Sequence, residues 1–353
     1  MNFEELVRAT DERVNDFHFL KNEGLLCTND DFVPAVHYPP ITKYPPIEYD
    51  KMFENYTLPK DKVMEVYIHI PFCAKRCIYC HYPSLYKAPE ESKDKYIDAM
   101  EKEFDIYKKT LGLERPKIRV VLIGGGTPTD LNPKQLERLL KTFNEKFDLS
   151  ETKQFNVDVS PSTLVGDIGR EKLRIMREYG VDRLTIGVQS LNETILRQMN
   201  RDNHKPIILE AIKNTLAAGF QLDIEFIFGY PNQTLKSWYE DLQEMVKLDA
   251  HEIQFYRLKI QAYGDQQGTI NKVSKDKYPS IDDTMRMKEM AILVMEENGY
   301  HENLRRVFTK EKKYISLYAY DQCCNLYDQM SFGLTAFSSL RDRFVLNTQN
   351  FDE

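Results

Sequence analysis

Tryptophan is nearly missing from this chain, with one residue in 353, and cysteine is scarce at six. No apolar run approaches the ~18–20 residues that cross a bilayer, so no membrane span is predicted. There is no positive excess: 48 Lys and Arg face 55 Asp and Glu, a net charge of -7, which gives no electrostatic ground for nucleic acid as a partner. The opening stretch MNFEELVRATDERVNDF is acidic and has no apolar centre, so it does not read as a secretory signal. These absences together predict a cytoplasmic protein. No internal repeat and no low-complexity tract stands out.

Hydrophobic residues make up 42% and charged residues 29%, the composition of a globular protein. Residues 1–60 include the Pro-rich HYPPITKYPPIEYD, which reads as extended backbone, and are taken as an N-terminal extension. From residue 61 short apolar runs alternate with helical patterns. The runs are VMEVYIHI, IRVVLIGG, FNVDVS, DRLTIGVQ, LDIEFIFG and IQFYRLKI. Between them, Leu136, Leu139, Leu140 and Phe143 mark one helix face, and the Asn of NPKQ and of NETI is placed to cap a helix. Six strands alternating with helices predict parallel βα units, in an open sheet or a full or partial barrel. The core is assigned to 61–265. Residues 266–353, with a helix near 281–298, form a C-terminal appendage.

The cysteines are not spread as in a disulfide scaffold. Cys73, Cys77 and Cys80, in HIPFCAKRCIYCHYP, are spaced C-x3-C-x2-C after the first strand. Three thiolates this close can each ligate an iron of a cubane cluster and leave the fourth iron open. Two other readings stand beside this one: free buried thiols, or a zinc site with His81 as fourth ligand. Cys323 and Cys324 form an awkward adjacent pair and read, like Cys27, as core packing. Gly124, Gly125 and Gly126 of VLIGGGTPTDL end the second strand, where backbone can approach a ligand closely; the pattern is neither G-x-G-x-x-G nor a Walker motif.

Polar residues interrupt the later strands. Asp158, Gln189, Glu225 and Arg257 each sit in or end an apolar run. A charge buried there is costly unless paired, and four in successive strands suggest a polar interior facing a ligand at the C-terminal ends of the strands.

The spacing of the three cysteines, with the aromatic Tyr79 before the last, resembles the radical S-adenosylmethionine (SAM) signature. YIHIPFC, GGGTPT, IGVQS followed by Asn200-Arg201, FGYPNQT and, further on, GLTAFSS resemble the oxygen-independent coproporphyrinogen III oxidase-like family in order and spacing, over roughly residues 61–265. The resemblance implies an α/β fold, a partial (β/α)6 TIM-type barrel, with a [4Fe–4S] cluster on Cys73, Cys77 and Cys80 and one SAM on its open iron, a second SAM being known in the family's cavity. It implies that Gly125, Gly126 and Thr127 hold the methionine part, that Tyr67 and Tyr79 lie beside the cofactors, and that Asp158, Gln189, Arg201 and Glu225 contact ribose, carboxylate or neighbouring polar groups. The family usually has Glu where Asp158 stands and Asp where Glu225 stands. Arg257, Ala336 and Phe337 would line the wall of the second SAM or substrate, and Phe226, Phe228 and Phe255 would help exclude water.

The activity implied is cleavage of SAM to methionine and a 5'-deoxyadenosyl radical that takes hydrogen from a small-molecule substrate. True coproporphyrinogen oxidases carry another cysteine just after the third; this chain has His81. The haem-chaperone branch has a His-Asn-x-x-Tyr-Trp block where this chain has Cys324-Asn325-Leu326-Tyr327-Asp328. The expectation is therefore carbon transfer to an unsaturated or heteroaromatic substrate, as in class C methyltransferases and cyclopropanases. Tetrapyrrole modification and haem carriage without turnover are the alternatives. A flavodoxin or ferredoxin is the expected electron donor. Family members continue into a helical domain over the cavity, which predicts either an uncovered cavity or further chain beyond residue 353.

Overall fold

The computed structural model describes the chain apart from residues 27–42, 49–50, 60, 81, 202, 259–269, 305, 342 and 353. The readings of Cys27 and His81 fall outside the described residues.

Each of the six apolar runs forms a strand. β1 (Val63–Ile70) leads into the short β2 (Phe72–Cys73) and β3 (Leu85–Tyr86), then α2 (Glu90–Thr110), which follows the N-terminal α1 (Phe3–Asn22). The alternation continues through β4 (Lys117–Gly125), α3 (Pro133–Lys146), β5 (Gln154–Val159), α4 (Gly166–Glu178), β6 (Arg183–Gln189), α5 (Glu193–Gln198), α6 (Lys205–Ala217), β7 (Gln221–Phe228), α7 (Leu235–Met245) and β8 (Glu252–Arg257). After it come α8 (Ile281–Glu297), β9 (His301–Leu304), β10 (Val307–Thr309), α9 (Leu317–Tyr320), β11 (Gln329–Phe332), β12 (Phe337–Leu340) and β13 (Arg343–Leu346). Asn132 caps α3 in a reciprocal box with Gln135, and Asn192 caps α5 by accepting from the amides of Thr194 and Ile195.

The main sheet runs β13-β12-β11-β1-β4-β5-β6-β7-β8-β10-β9. β1 and β4 to β8 pair in parallel. β1 also takes β11 as a parallel neighbour, and β8 takes β10 antiparallel. β1 and β8 therefore do not meet, and the barrel is partial. Both edges are extended by the C-terminal part of the chain, an arrangement the six-strand rhythm did not announce.

The strands are two-sided in a way that a reading of continuous apolar runs obscures. Alternate residues point to opposite faces. One face carries Met64, Val66, Ile68, Val157, Ile186, Leu222, Ile224 and Ile253, all fully buried against the helices. Phe228 and Phe255 pack there on Trp238, and Phe226 alternates onto the same side, so these three rings belong to the helix-facing core and not to a wall around a ligand. The inner face is polar: Glu65, Tyr67 and His69 on β1, Asn156 and Asp158 on β5, Arg183 and Thr185 on β6, Asp223 and Glu225 on β7, and Glu252, Gln254 and Tyr256 on β8.

The segment from Lys312 to Asn325 closes the inner face at the N-terminal ends of the strands. Arg183 Nη1 donates to the Tyr314 carbonyl at 2.9 Å. The amides of Ser316 and Leu317 donate to Glu252 and Gln154 at 2.8 and 2.9 Å. Gln322 Nε2 reaches Glu65 at 2.5 Å, and Arg119 pairs with the fully buried Asp321 at 2.9 Å. This floor leaves the opposite end, where the strands finish, as the mouth. Cys323 and Cys324 lie in this segment and are exposed, which corrects their reading as core residues: the tight turn over Asp321–Asn325 buries Asp321 and turns both thiols outward.

Candidate radical SAM site

The cysteine loop leaves β1 at the mouth and is tied down from three sides. β2 and β3 pair across it, with the Leu85 amide donating to Pro71 at 2.7 Å and Lys87 to Cys73 at 3.0 Å. The glycine turn grips its start: the amides of Gly126 and Thr127 donate to the carbonyls of Ile70 and Phe72 at 2.8 and 2.7 Å. A Cβ on Gly126 would lie 2.7 Å from the Phe72 carbonyl oxygen, so only glycine allows this approach. From the third side, Ile78 donates to the Met199 carbonyl at 3.1 Å, and Asn200, itself left-handed at φ 59, donates to the Arg76 carbonyl at 2.7 Å.

Arg201 connects this clamp to a sulfur. Its Nη1 is 3.4 Å from both Cys77 Sγ and the Tyr79 hydroxyl, while Nη2 bonds the Gly187 carbonyl. Thr127 Oγ1 lies 3.7 Å from Cys73 Sγ, and Cys80 Sγ is 3.9 Å from the Tyr82 carbonyl. The three thiols are half-buried. Burial pushes Cys73 up to about 12, with the Thr127 hydroxyl pulling back and the neighbouring Cys80 and Cys77 sulfurs adding to the rise. Cys80 is raised as well, chiefly by burial. Deprotonating these thiols together is favourable only if a cationic centre arrives with them. Among the described residues, no three His, Cys, Asp or Glu side chains close around a single ion. A cubane asks for something different, one thiolate per iron, and three thiols on one clamped loop are a donor set that fits it.

Below the loop, Gly124 faces inward. A Cβ there would sit 2.5 Å from Asp158 Oδ2 and 3.5 Å from the Tyr67 ring; on Gly125, at φ 105, it would strike the His69 ring at 2.6 Å. Tyr67 and His69 share a hydrogen bond of 3.0 Å between the hydroxyl and Nδ1, and burial lowers His69 to about 4, which keeps it neutral. Gln189 ends β6 in a left-handed conformation, φ 73, at a register shift against β7. Asp158 is pushed well above the usual carboxylate range by burial, then by Glu225 and Asp223. Burial and then Asp223 raise Glu225 to about 7. Tyr67, Asp158, Glu225, Tyr256 and Tyr318 lie deep in the molecule yet keep partial solvent access, the signature of a lined hollow.

The structure thus brings together Tyr67, Tyr79, Gly125, Gly126, Thr127, Asp158, Gln189, Arg201 and Glu225 beside the three cysteines. It does not bring Arg257 among them. Gln254 and Tyr256 face inward, so alternation turns Arg257 to the other side at the end of β8, where it is exposed. Ala336 is buried beside β12, and Phe337 stacks on Phe344 at 6.0 Å, on the flank of the sheet beyond β11. Sequence reasoning missed Glu65, Arg183, Asp223, Glu252 and Gln254. The signal was the alternation itself: Glu65-x-Tyr67-x-His69, Asp223-x-Glu225 and Glu252-x-Gln254-x-Tyr256 repeat every second residue.

These carboxyls give the fold a pH signature. Burial raises Glu65 to about 8, and Glu225 and Glu252 to about 7, from an ordinary 4.5. A carboxyl that holds its proton more tightly when folded stabilises the fold fully below its unfolded value, and that contribution is lost as pH rises through the folded value. The cluster-free protein should melt at a higher temperature at about pH 6 than at about pH 8. Thermal unfolding at fixed ionic strength checks this, and a melting temperature that rises over that interval would refute it.

The radical SAM superfamily model matches residues 67–245. The heme chaperone HemW of Bacillus subtilis (strain 168) is 30% identical over 239 residues, covering 67% of this chain and 61% of that protein. The HemW of Lactococcus lactis is 29% identical, covering 68% and 60%; the chain spans about 60% of the length of these relatives. The oxygen-independent coproporphyrinogen III oxidase of Escherichia coli (strain K12) is 30% identical over 190 residues, 54% of this chain and 40% of that one. The solved structure of the Escherichia coli coproporphyrinogen III oxidase, a radical SAM enzyme, superposes with a TM-score of 0.73 at 23% identity, over 84% of this chain and 68% of that one. Among the described residues no helix is long and apolar enough to cross a membrane. With the open barrel, the clamped C-x3-C-x2-C loop and these matches in hand, the chain belongs to the radical SAM superfamily, with heme chaperones HemW and oxygen-independent coproporphyrinogen III oxidases among its relatives.

Proposed function

We propose that the protein cleaves SAM reductively at a [4Fe–4S] cluster held by Cys73, Cys77 and Cys80. The observation that carries this reading is the double anchoring of the cysteine loop, to the glycine turn on one side and to Asn200 and Arg201 on the other, over a polar hollow. When bound, the cluster and SAM supply an electron and a carbon-centred radical that removes hydrogen from substrate. The chain's own groups position and shield. Gly125, Gly126 and Thr127 offer a close backbone edge to the methionine part of SAM. Asp158, Gln189 and Glu225 line the place for its ribose and polar groups. Arg201 holds the Cys77 sulfur and the Tyr79 hydroxyl in place, and the Tyr67–His69 pair stays neutral under the glycine turn.

For the substrate, the names borne by the relatives favour a tetrapyrrole. Carbon transfer of the class C methyltransferase type draws no specific support from them and takes second place. Haem carriage without turnover is the reading that the HemW relatives suggest.

The test is anaerobic reconstitution with iron and sulfide, addition of dithionite and SAM, and detection of 5'-deoxyadenosine by mass spectrometry. Its formation is expected. S-adenosylhomocysteine alongside it would restore carbon transfer to first place. Tight stoichiometric haem binding with no SAM cleavage would replace the enzymatic reading by the chaperone one.

A further inference from the structure

The mouth of the barrel holds a cation outside the motifs. β9 and β10 form a hairpin that extends the sheet at the β8 edge, and Arg306 sits in its turn at φ 71. The backbone there is held twice: the Arg306 amide donates to Glu302 Oε1 at 2.8 Å, and its carbonyl accepts from the Phe255 amide at 3.0 Å. The guanidinium carbon lies 4.3 Å from the centre of the Tyr256 ring. Tyr256 in turn donates to Gln254 Oε1 at 2.8 Å. Arg306 is exposed at the tip of the hairpin, and its long side chain is laid on the ring of the inward-facing Tyr256.

The surroundings show which hollow this is. Tyr256, whose ring Arg306 covers, stands on the inward-facing side of β8 near its end at the mouth, two positions after Gln254. Arg306 acts on Glu225 through space and not by a hydrogen bond. Burial raises both Asp158 and Glu225, and Arg306 pulls Glu225 back. Aromatic walls complete the space, with Tyr67 and Tyr318 at 6.2 Å and tilted by 34°.

We propose that Arg306, laid on Tyr256, recognises a carboxylate of a flat, conjugated substrate and so sets which end of that substrate faces the cysteine loop. A planar guanidinium fork matches a carboxylate in two parallel hydrogen bonds. A single guanidinium suits a monoanionic group better than a phosphate dianion. The tyrosine rings suit a flat body. Arg306 takes the role that the strand pattern had assigned to Arg257. This inference rests on reading the hollow as the substrate site of a radical SAM protein, and its test is separate from SAM cleavage.

The test titrates the reconstituted full chain anaerobically with coproporphyrin III, a flat tetracarboxylate, and with its tetramethyl ester, following fluorescence quenching. The wild type should bind the acid at least about tenfold more tightly than the ester. Arg306→Ala should abolish that preference, and Arg306→Lys should keep part of it. Iron content and circular dichroism show that each variant is folded. Acid binding by Arg306→Ala equal to wild type, or no preference for acid over ester in the wild type, overturns the proposal. An Arg306-dependent preference in a protein that makes no 5'-deoxyadenosine would leave the carboxylate subsite standing and remove the radical reading; SAM cleavage with no such preference would do the reverse.

Discussion

Alanine at position 183 should cost about 3–5 kcal/mol of folding stability, because it strips the counter-charge from two buried carboxylates. Arg183 is fully buried, with Nη2 at 2.7 Å from Glu252 and 3.3 Å from Asp223, themselves inaccessible to solvent. The same guanidinium binds the Tyr314 carbonyl, so the floor of the barrel loses a fastening as well. The network does not end there: Asp223 accepts from Thr185 and Gln254 at 3.0 and 2.9 Å, and Asn156 links Thr185 to Asp158. Truncation at the floor therefore loosens the layer beneath the cysteines. The deficit should shrink as pH falls, since Glu252 and Asp223 can then neutralise themselves with protons. Denaturant unfolding at about pH 8 and pH 5.5 reads both effects. A loss below about 1 kcal/mol, the range of an exposed ion pair, would show that the buried triad is not what holds the floor.

Cys77→Ala should reduce reconstituted iron sharply and bring 5'-deoxyadenosine formation down to the rate without protein, since one thiolate of three cannot be replaced by the loop's backbone. Arg201→Lys offers the graded comparison. Lysine keeps the charge but cannot span Cys77 Sγ, the Tyr79 hydroxyl and the Gly187 carbonyl at once. Loss of a group that orients a ligand typically costs about 10–100-fold, in cluster affinity or activity. Iron analysis, visible absorption and product formation on both variants distinguish ligand from support. If Cys77→Ala retained a full cluster and SAM cleavage, the assignment of the loop as the cluster site would fall.

Much of this site was legible because its chemistry is local. Cys73, Cys77 and Cys80 lie within one loop, the glycines ride on the end of one strand, and Asn132 and Asn192 cap the helices that their positions announced. The strands were legible as apolar runs, but runs report only that a segment is buried. Facing is a matter of period: Glu225 and Asp158 stood out as isolated oddities, while Glu65, Asp223 and Glu252 become visible only when every second position is read together. What could not be read was long-range pairing. Nothing local to Arg306 ties it to Tyr256; the hairpin of β9 and β10 does so by joining the β8 edge. Arg257 was chosen as a charge interrupting an apolar run, and its parity turns it away from the inner face. The exposure of Cys323 and Cys324 has the same origin, since the floor is held through Asp321 and Gln322 and the thiols face away from it.

The pairing of β11 with β1 sets a schedule for making this protein. Val66 lies opposite Met330, partners separated by about 260 residues, so at ribosomal rates of roughly 5–20 residues per second the first core strand waits about 13–50 s for its second neighbour. During that wait one edge of a strand rich in Val and Ile is unpaired and able to join another chain. Translation and mispairing thus compete for the same strand edge, so lower growth temperature is expected to raise the soluble yield, which expression at two temperatures checks.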